Sequence, residues 1–308
     1  MYSKLTLLLL LPFLCFLSAD QVHAQNAGNW SSLYDPGLSD SQQEQQDRQV
    51  AYYVFRNNVW GDDVYPLHDG LNWQVLWAYW GQNINWIAWG VEAGHTNGVN
   101  NLPDRREGGV KSYPCIVRGW TIGIGYVTNN HQLGIKVDEL ETARVGWTFE
   151  SPNSGRQQAL IDIYLHWWHS PGTSLPALNI QLVPHWFDST GYINDPNNIG
   201  RGPNGGDAAY SIGKRWIGDI QYEAWVKWDH PDREIGAGER FFHVRPVSFK
   251  NGASRKNAIH DVKGIIDWAR SHHNLAHPNM YLTGVQAGFE LIDGGSGFRT
   301  TTYWTDIR

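Results

Sequence analysis

The chain has 308 residues and a formal charge of −6, a poor match to nucleic acid, which selects strongly basic surfaces. Its two cysteines fall at Cys15 and Cys115, so an intrachain disulfide framework is excluded once the N-terminal leader described below is removed. Seventeen Trp and fourteen Tyr point instead to ligands with flat, partly apolar faces, sugar rings among them, because aromatic faces stack while their polar edges hydrogen-bond.

The first segment, Met1 to Ala24, carries one early basic residue, Lys4, then the apolar run LTLLLLLPFLCFL, then the small-residue end VHA. This predicts a secretory signal peptide, residues 1–24, cleaved after Ala24. The apolar run is shorter than the roughly 20 residues a membrane-spanning helix needs. No later segment is long and apolar enough to span a bilayer, so the expected product is secreted, extracellular or periplasmic, with no membrane partner. Residues 25–50 are polar and Gln-rich (SDSQQEQQDRQ) and predict a flexible lead-in or a capping arm.

From residue 51 to 308 a single domain is expected. Strand-like runs follow one another: AYYVFRNNVWG, LNWQVLWAYW, NWIAWGVEAG, GGVKSYPCIV, ARVGWTFE, QALIDIYLHWW, DIQYEAWVKW, RFFHVRPVSF, MYLTGVQAGFELI and TTYWTDI. Gly, Asn, Pro and Asp cluster between them, a pattern of a β-sandwich or jelly roll. The fold class predicted is all-β, a jelly roll of two packed antiparallel sheets with a concave cleft. One amphipathic helix is predicted in NAIHDVKGIIDWARSHH, where Ile259, Val262, Ile265, Ile266 and Ala269 recur at helical spacing. The stretch at about 169–216 is rich in Pro, Gly, Asn and Asp and predicts a loop insertion or a pair of extra hairpins.

Three of these strands place an acid on the face away from their apolar residues. In ALIDIYLHWW, Ile161, Ile163 and Leu165 form one face; Asp162, Tyr164 and His166 form the other. In DIQYEAWVKW, Glu223 shares its face with Gln221, Trp225 and Lys227. In VQAGFELID, Glu290 shares its face with Gln286 and Gly288. Period-two alternation marks half-buried strands, and acids among aromatics and amides suggest a cleft more than a plain solvated face. Two carboxylates across a cleft supply what glycoside hydrolysis needs. One, ionised, attacks the anomeric carbon, and the other, protonated, releases the leaving oxygen; a separation of about 5–5.5 Å gives a retaining mechanism. A third nearby acid tunes the pair, since close carboxylates push each other's pKa apart. Periodicity alone does not say whether the three strands are neighbours, and three unrelated surface acids would give the same pattern.

The motifs RNNVWG (Arg56 to Gly61), VKSYPCIV (Val110 to Val117), GWTFE followed by ALIDIYLHW, and QAGFELIDGG (Gln286 to Gly295) occur in this order, with the amphipathic helix before the last strand. In this the chain resembles glycoside hydrolase family 12, secreted endo-β-1,4-glucanases and xyloglucanases with a jelly-roll fold, from about Tyr52 to Ile307. The resemblance implies that Glu290 is the general acid/base and that Asp162 is the aspartate hydrogen-bonded to the nucleophile. It implies that Asn58 and Trp60 lie at the sugar-binding end of the cleft. It places the nucleophile in a strand reading E-L-M-I-W-L, for which YEAWVKW supplies Glu223, with Trp225 in place of Met and Lys227 in place of Trp. Phe289 stands where the family has Thr. Trp225, Gln286 and Tyr164 join Asn58 and Trp60 as substrate-binding candidates.

The expected activity is retaining endo-cleavage of a β-glucan (xyloglucan, mixed-linkage glucan or cellulose) by a monomer. Transglycosylation through the same intermediate is an alternative, and so is a non-catalytic glycan-binding protein on a decayed hydrolase scaffold. A structural protein whose Trp are all core ranks last. No metal or organic cofactor is implied, since two carboxylates suffice. His166 and His169 would fall on opposite faces of a strand, which is poor for chelation. Ser271 to His273 follow a helix end, where the dipole favours His. Cys115 has no partner in sequence and suits a buried free thiol, and GGSGF lacks the strand–loop–helix setting of a phosphate cradle.

Overall fold

The computed structural model describes residues 31–32, 47–50, 53–56, 75–80, 87–93, 113–122, 124–127, 131–151, 156–188, 210–228, 240–293 and 298–308. The predicted signal peptide, Asn58 and Trp60 lie outside these residues. No helix among the described residues is long and apolar enough to cross a membrane.

The first strands are β1 (Ser31–Ser32), β2 (Asp47–Val50), β3 (Tyr53–Arg56), β4 (Val75–Trp80), β5 (Ile87–Ala93) and β6 (Cys115–Thr121). Next come β7 (Gly125–Tyr126), β8 (Ile135–Lys136), β9 (Ala143–Glu150), β10 (Arg156–His166), β11 (Leu178–Asp188) and β12 (Tyr210–Ile217). The chain continues with β13 (Ile220–Trp228), β14 (Arg240–Phe249), β15 (Asn257–Asp261), helix α1 (Val262–Ser271), β16 (Tyr281–Asp293) and β17 (Arg299–Ile307).

They form two sheets. The smaller runs β1-β4-β5-β17-β9-β15, and the larger runs β12-β13-β14-β11-β10-β16-β6-β3-β2. Paired strands are antiparallel except β11 with β14. The hairpin β12–β13 lies between those two strands in sequence, and β13 pairs antiparallel with β14. The architecture is the predicted two-sheet jelly roll. The lead-in contributes two short edge strands, β1 against β4 and β2 against β3. The stretch at 169–216 contains all of β11 and all but the last residue of β12, so a full strand of the larger sheet comes from it.

The core lies between the sheets and follows the alternation. Ile161, Ile163 and Leu165 from β10, Ile180 and Leu182 from β11, and Val285, Ala287 and Phe289 from β16 are all fully buried on its one side. Trp147 and Phe149 of β9 close on Phe289 from the other, with ring centroids 5.4 and 5.8 Å away. Phe298 stacks on the same ring at 4.0 Å. Burying each such side chain is worth about 1.5–3 kcal/mol. Phe289, which departs from the family pattern, is therefore a core residue.

Helix α1 starts later than predicted. Asp261 caps it, its Oδ1 accepting from the Gly264 amide at 3.0 Å, while residues 257–261 pair with β9 as β15. Val262, Ile265, Ile266, Trp268 and Ala269 are buried, but Ile259 belongs to the strand and is 59% exposed. Helical spacing included Ile259 because Ile259 and Val262 are three apart; the Asp261 cap overrides that spacing.

Candidate active site

The outer face of the larger sheet presents one transverse row of paired residues. Trp225 of β13 lies opposite His243 of β14, which pairs with Gln181 of β11. Gln181 lies opposite Asp162 of β10, Asp162 opposite Gln286 of β16, and Gln286 opposite Val117 of β6. The middle of this row opens into a cavity of about 390 Å³. Its floor is Asp162 and Tyr164 from β10, Asn179 and Gln181 from β11, and Gln286 and Glu290 from β16. Arg56, Tyr113, Thr121 and Ile122 wall one side, and Phe241 of β14 the other.

A hydrogen-bonded chain fixes the floor. Arg56 Nη1 donates to Thr121 Oγ1 at 3.2 Å, and Thr121 Oγ1 donates to Gln286 Oε1 at 3.0 Å. The Gln286 amide nitrogen then donates to Asp162 Oδ2 at 3.0 Å and to the Tyr164 hydroxyl at 2.7 Å. Four strands thus hold one oxygen of Asp162. Its other oxygen, Oδ1, is buried with no partner within bonding distance, and so is Asn179 Oδ1.

Both carboxyls of the floor titrate high. Burial pushes Asp162 up to about 6, with Gln286 the foremost of the neighbours pulling the other way. Burial pushes Glu290 up to about 7; the charge of Asp162 adds to the rise, and a hydrogen bond from Gln158 Nε2 opposes it. Glu290 is thus protonated for much of the neutral range, the state a proton donor requires. Burial first, and then the charge of Asp162, hold the Tyr113 hydroxyl well above the usual phenol range, and it donates to the Leu160 carbonyl at 3.1 Å. It reaches that position because residue 288 is glycine: a Cβ there would meet Pro114 O at 2.4 Å, Cys115 Cβ at 2.6 Å and Tyr113 Cε2 at 2.7 Å.

The raised Glu290 pKa bears on stability. The folded state holds a proton that the unfolded carboxyl releases near its ordinary value, so this contribution is present at acid pH and is lost as pH rises toward about 7. Glu290→Gln removes the titration. Its melting temperature is expected to exceed that of the unaltered protein more at pH 8 than at pH 5, which thermal unfolding at the two pH values checks.

The structure brings Asp162, Tyr164, Gln286 and Glu290 together and does not bring Glu223 to them. In strand order β14, β11 and β10 separate β13 from β16. That is four steps of ~4.8 Å, roughly 19 Å, against the 5–5.5 Å of a retaining pair. Glu223 instead accepts from Arg245 Nη2 at 3.0 Å. Trp225 is buried beneath the same guanidinium, which stands 4.6 Å over its ring, and it does not line the cavity. The strand beside Asp162 is β11, reading LNIQLV, and it offers the amides Asn179 and Gln181 where Glu223 was expected. Tyr113, Asn179, Gln181, Arg56, Thr121 and Phe241 were not singled out from sequence. For Asn179 and Gln181 the signal was present, as polar residues alternating with Leu178, Ile180 and Leu182.

His166 is buried, bonded through Nδ1 to Thr283 Oγ1 at 2.7 Å and through Nε2 to the Ser174 carbonyl at 3.1 Å, and burial lowers its pKa to about 4. Cys115 is buried and takes part in no disulfide among the described residues. Among the described residues no three His, Cys, Asp or Glu gather at metal-binding distance.

No protein-family profile and no curated protein matches the sequence. Solved structures do match. An endoglucanase, cel12A, from Rhodothermus marinus aligns over 86% of this chain and 96% of its own, at 21% identity and a TM-score of 0.59. A family 12 xyloglucanase from Bacillus licheniformis aligns over 91% and 100%, at 17% identity and a TM-score of 0.62. The xyloglucanase domain of NopAA, a type three effector from Sinorhizobium fredii solved with cellobiose, aligns over 86% and 96%, at 16% identity and 0.55. The two-sheet architecture of this chain is therefore the family 12 glycoside hydrolase fold, in a sequence widely divergent from these structures.

Proposed function

We propose that the protein is a secreted glycoside hydrolase that cuts β-glucan chains internally, acting as a monomer with Glu290 as the proton donor. The observation that carries this reading is that Glu290, whose pKa burial raises to about 7, lines a polar cleft together with a second carboxyl, Asp162. The cleft crosses the sheet from β3 to β14, a shape suited to the middle of a chain more than to its end. Phe241, half-buried, offers ring surface, and the amides of β11 and β16 offer partners for hydroxyls. The β-glucan assignment draws on the endoglucanase, the xyloglucanase and the cellobiose complex among the structural neighbours.

The test is incubation with xyloglucan, mixed-linkage glucan and soluble cellulose, following viscosity beside reducing ends. A fast fall in viscosity with few new ends supports internal cleavage and names the substrate. Retention on one glucan without cleavage supports the second reading, a glycan-binding protein. The amides Asn179 and Gln181, beside Asp162 where a covalent nucleophile needs a carboxylate, favour that reading.

Glu223 gives a further check. Its ion pair with Arg245 lies roughly four strand spacings from Glu290. Glu223→Gln is expected to leave kcat within about twofold, under ~0.5 kcal/mol of barrier. Loss of turnover by a hundredfold or more, measured as reducing ends at saturating glucan, would restore Glu223 to the chemistry.

A further inference from the structure

We propose that the cleft continues past Glu290 into a subsite for a carboxylate-bearing sugar, built from Trp186, Arg245 and Arg255, and that the glycan it takes carries uronic acid units. The proposal rests on the hydrolytic reading above and names the class of glycan for the same cleft.

Placement is the first observation. Glu290 of β16 pairs with Gln158 of β10, and Gln158 pairs with Trp186 of β11. Gln158 Nε2 donates to the Glu290 carboxyl, so the two side chains share the outer face. Residues directly opposite each other on neighbouring strands point the same way, which puts Trp186 on that face too. It stands two strand spacings from Glu290, about 10 Å. Beyond it, Arg245 of β14 holds its guanidinium 5.6 Å from the Trp186 ring. A second row thus crosses the outer face, from Glu290 through Gln158 and Trp186 to Arg245.

The second observation is the charge of this row. Arg255, in the turn ahead of β15, holds its guanidinium 4.4 Å from the same indole. Two cations therefore converge on one ring. Lys256 follows Arg255, and their two charges join burial in lowering the His185 pKa to about 4, which leaves that imidazole neutral at pH 7. Glu223 answers one of these cations, bonded to Arg245 at 3.0 Å. No carboxylate among the described residues pairs with Arg255 or Lys256. Guanidiniums of a plainly solvated face stand apart in water, whereas Arg245, Arg255 and Trp186 are all half-buried. Burial first, and then the charge of Arg245, lower the Arg255 pKa. The two cations repel each other in a partly dry place, and an anion bound beside both relieves that repulsion.

The chemistry of the row selects the ligand. A guanidinium presents its donors as a planar fork that matches a carboxylate through two parallel hydrogen bonds. Stacking on an indole fixes that plane in advance and leaves its edge to bind. A neutral sugar needs no such cation. The cavity floor already offers its hydroxyls the amides Asn179, Gln181 and Gln286. The two rows divide the work, one meeting hydroxyls and the other a sugar acid.

The experiment is titration calorimetry of the mature chain with a cello-oligosaccharide and with the same oligosaccharide oxidised at C6 to uronate units. Cleavage of both ligands is followed in parallel as reducing ends. The oxidised ligand is expected to bind about tenfold tighter or more, the worth of one hydrogen bond to a charged group. The gap should narrow as salt rises, since salt screens the charges. Equal affinities would overturn the subsite and, with the neutral ligand still cut, leave the hydrolase reading standing. Neither binding nor cleavage of either ligand would remove both. Equal tightening by a sulfated cello-oligosaccharide would mean attraction for any anion and would overturn the carboxylate assignment. Arg255→Gln should bring the ratio of the two affinities toward one, and Arg255→Lys should restore part of it. A fall in both affinities by the same factor, with the ratio unmoved, would mean that Arg255 only supports the fold and would overturn its place in the subsite.

Discussion

Glu290→Gln is expected to lower turnover on an unactivated β-glucan by about 10²–10⁴-fold, the usual worth of a positioned general acid. Gln keeps the shape of the side chain and loses the proton it would deliver. The fold should survive, because the replacement removes a carboxyl that burial already disfavours in its charged form. Two signatures separate loss of acid catalysis from damage to the cleft. An aryl glycoside with a good leaving group needs little proton assistance, so the variant should lose far less on it than on polysaccharide. For the unaltered protein kcat/KM should fall as pH rises through about 7, where Glu290 ionises, and that alkaline limb should vanish in the variant. Near-native turnover of polysaccharide by Glu290→Gln would remove Glu290 from the chemistry.

Gly288→Val should be the most destabilising single change in the cleft. Gly288 lies between Gln286 and Glu290 on the outer face of β16, and its missing side chain is where Tyr113 crosses the strand. The nearest obstacle to a Cβ is the Pro114 carbonyl at 2.4 Å, which is backbone and does not swing aside. That carbonyl also accepts from the Phe289 amide at 3.1 Å, so displacing it breaks a link between β16 and the segment leading into β6. Overpacking of this kind costs about 3 kcal/mol. For a domain of this size that corresponds to a fall in melting temperature of roughly 6–12 °C. Gly288→Ala places the same Cβ and should share most of the loss. A melting temperature unchanged in both would show that Tyr113 and Pro114 can retreat.

What could be read in the sequence, and what could not, follows from the range of each signal. The alternation in ALIDIYLHWW and VQAGFELID is a property of single strands. It put Asp162, Tyr164, Gln286 and Glu290 on outward faces, where the structure has them. DIQYEAWVKW alternates in the same way, and Glu223 does face outward. Which strands are neighbours is decided by long-range pairing and connectivity, and no local pattern contains it. The order β13-β14-β11-β10 moved Glu223 out of reach. A search for acids also passed over Asn179 and Gln181, because their polar atoms are neutral. They mattered through position, one strand from Asp162. The helix start shows the same limit on a small scale, since Ile259 fits the helical period while the Asp261 side chain ends it.

The parallel pairing in the larger sheet has a mechanical consequence. The β11–β14 register runs only from Asn179↔Phe241 to Leu182↔Val244, whereas β10 and β11 are laced from Arg156↔Asp188 to Leu165↔Leu178. Parallel ladders are also slightly less stable per residue than antiparallel ones. Across the floor of the cavity this is the shortest of the ladders, since β10 also pairs with β16 from Arg156↔Asp293 to His166↔Tyr281. On one side of it lie the two carboxyls and the amides of β11; on the other, Phe241 belongs to the block of β12, β13 and β14. The chain can thus rebuild that outer block, lengthening or reshaping one shore of the groove, while the groups that would carry the chemistry keep their places.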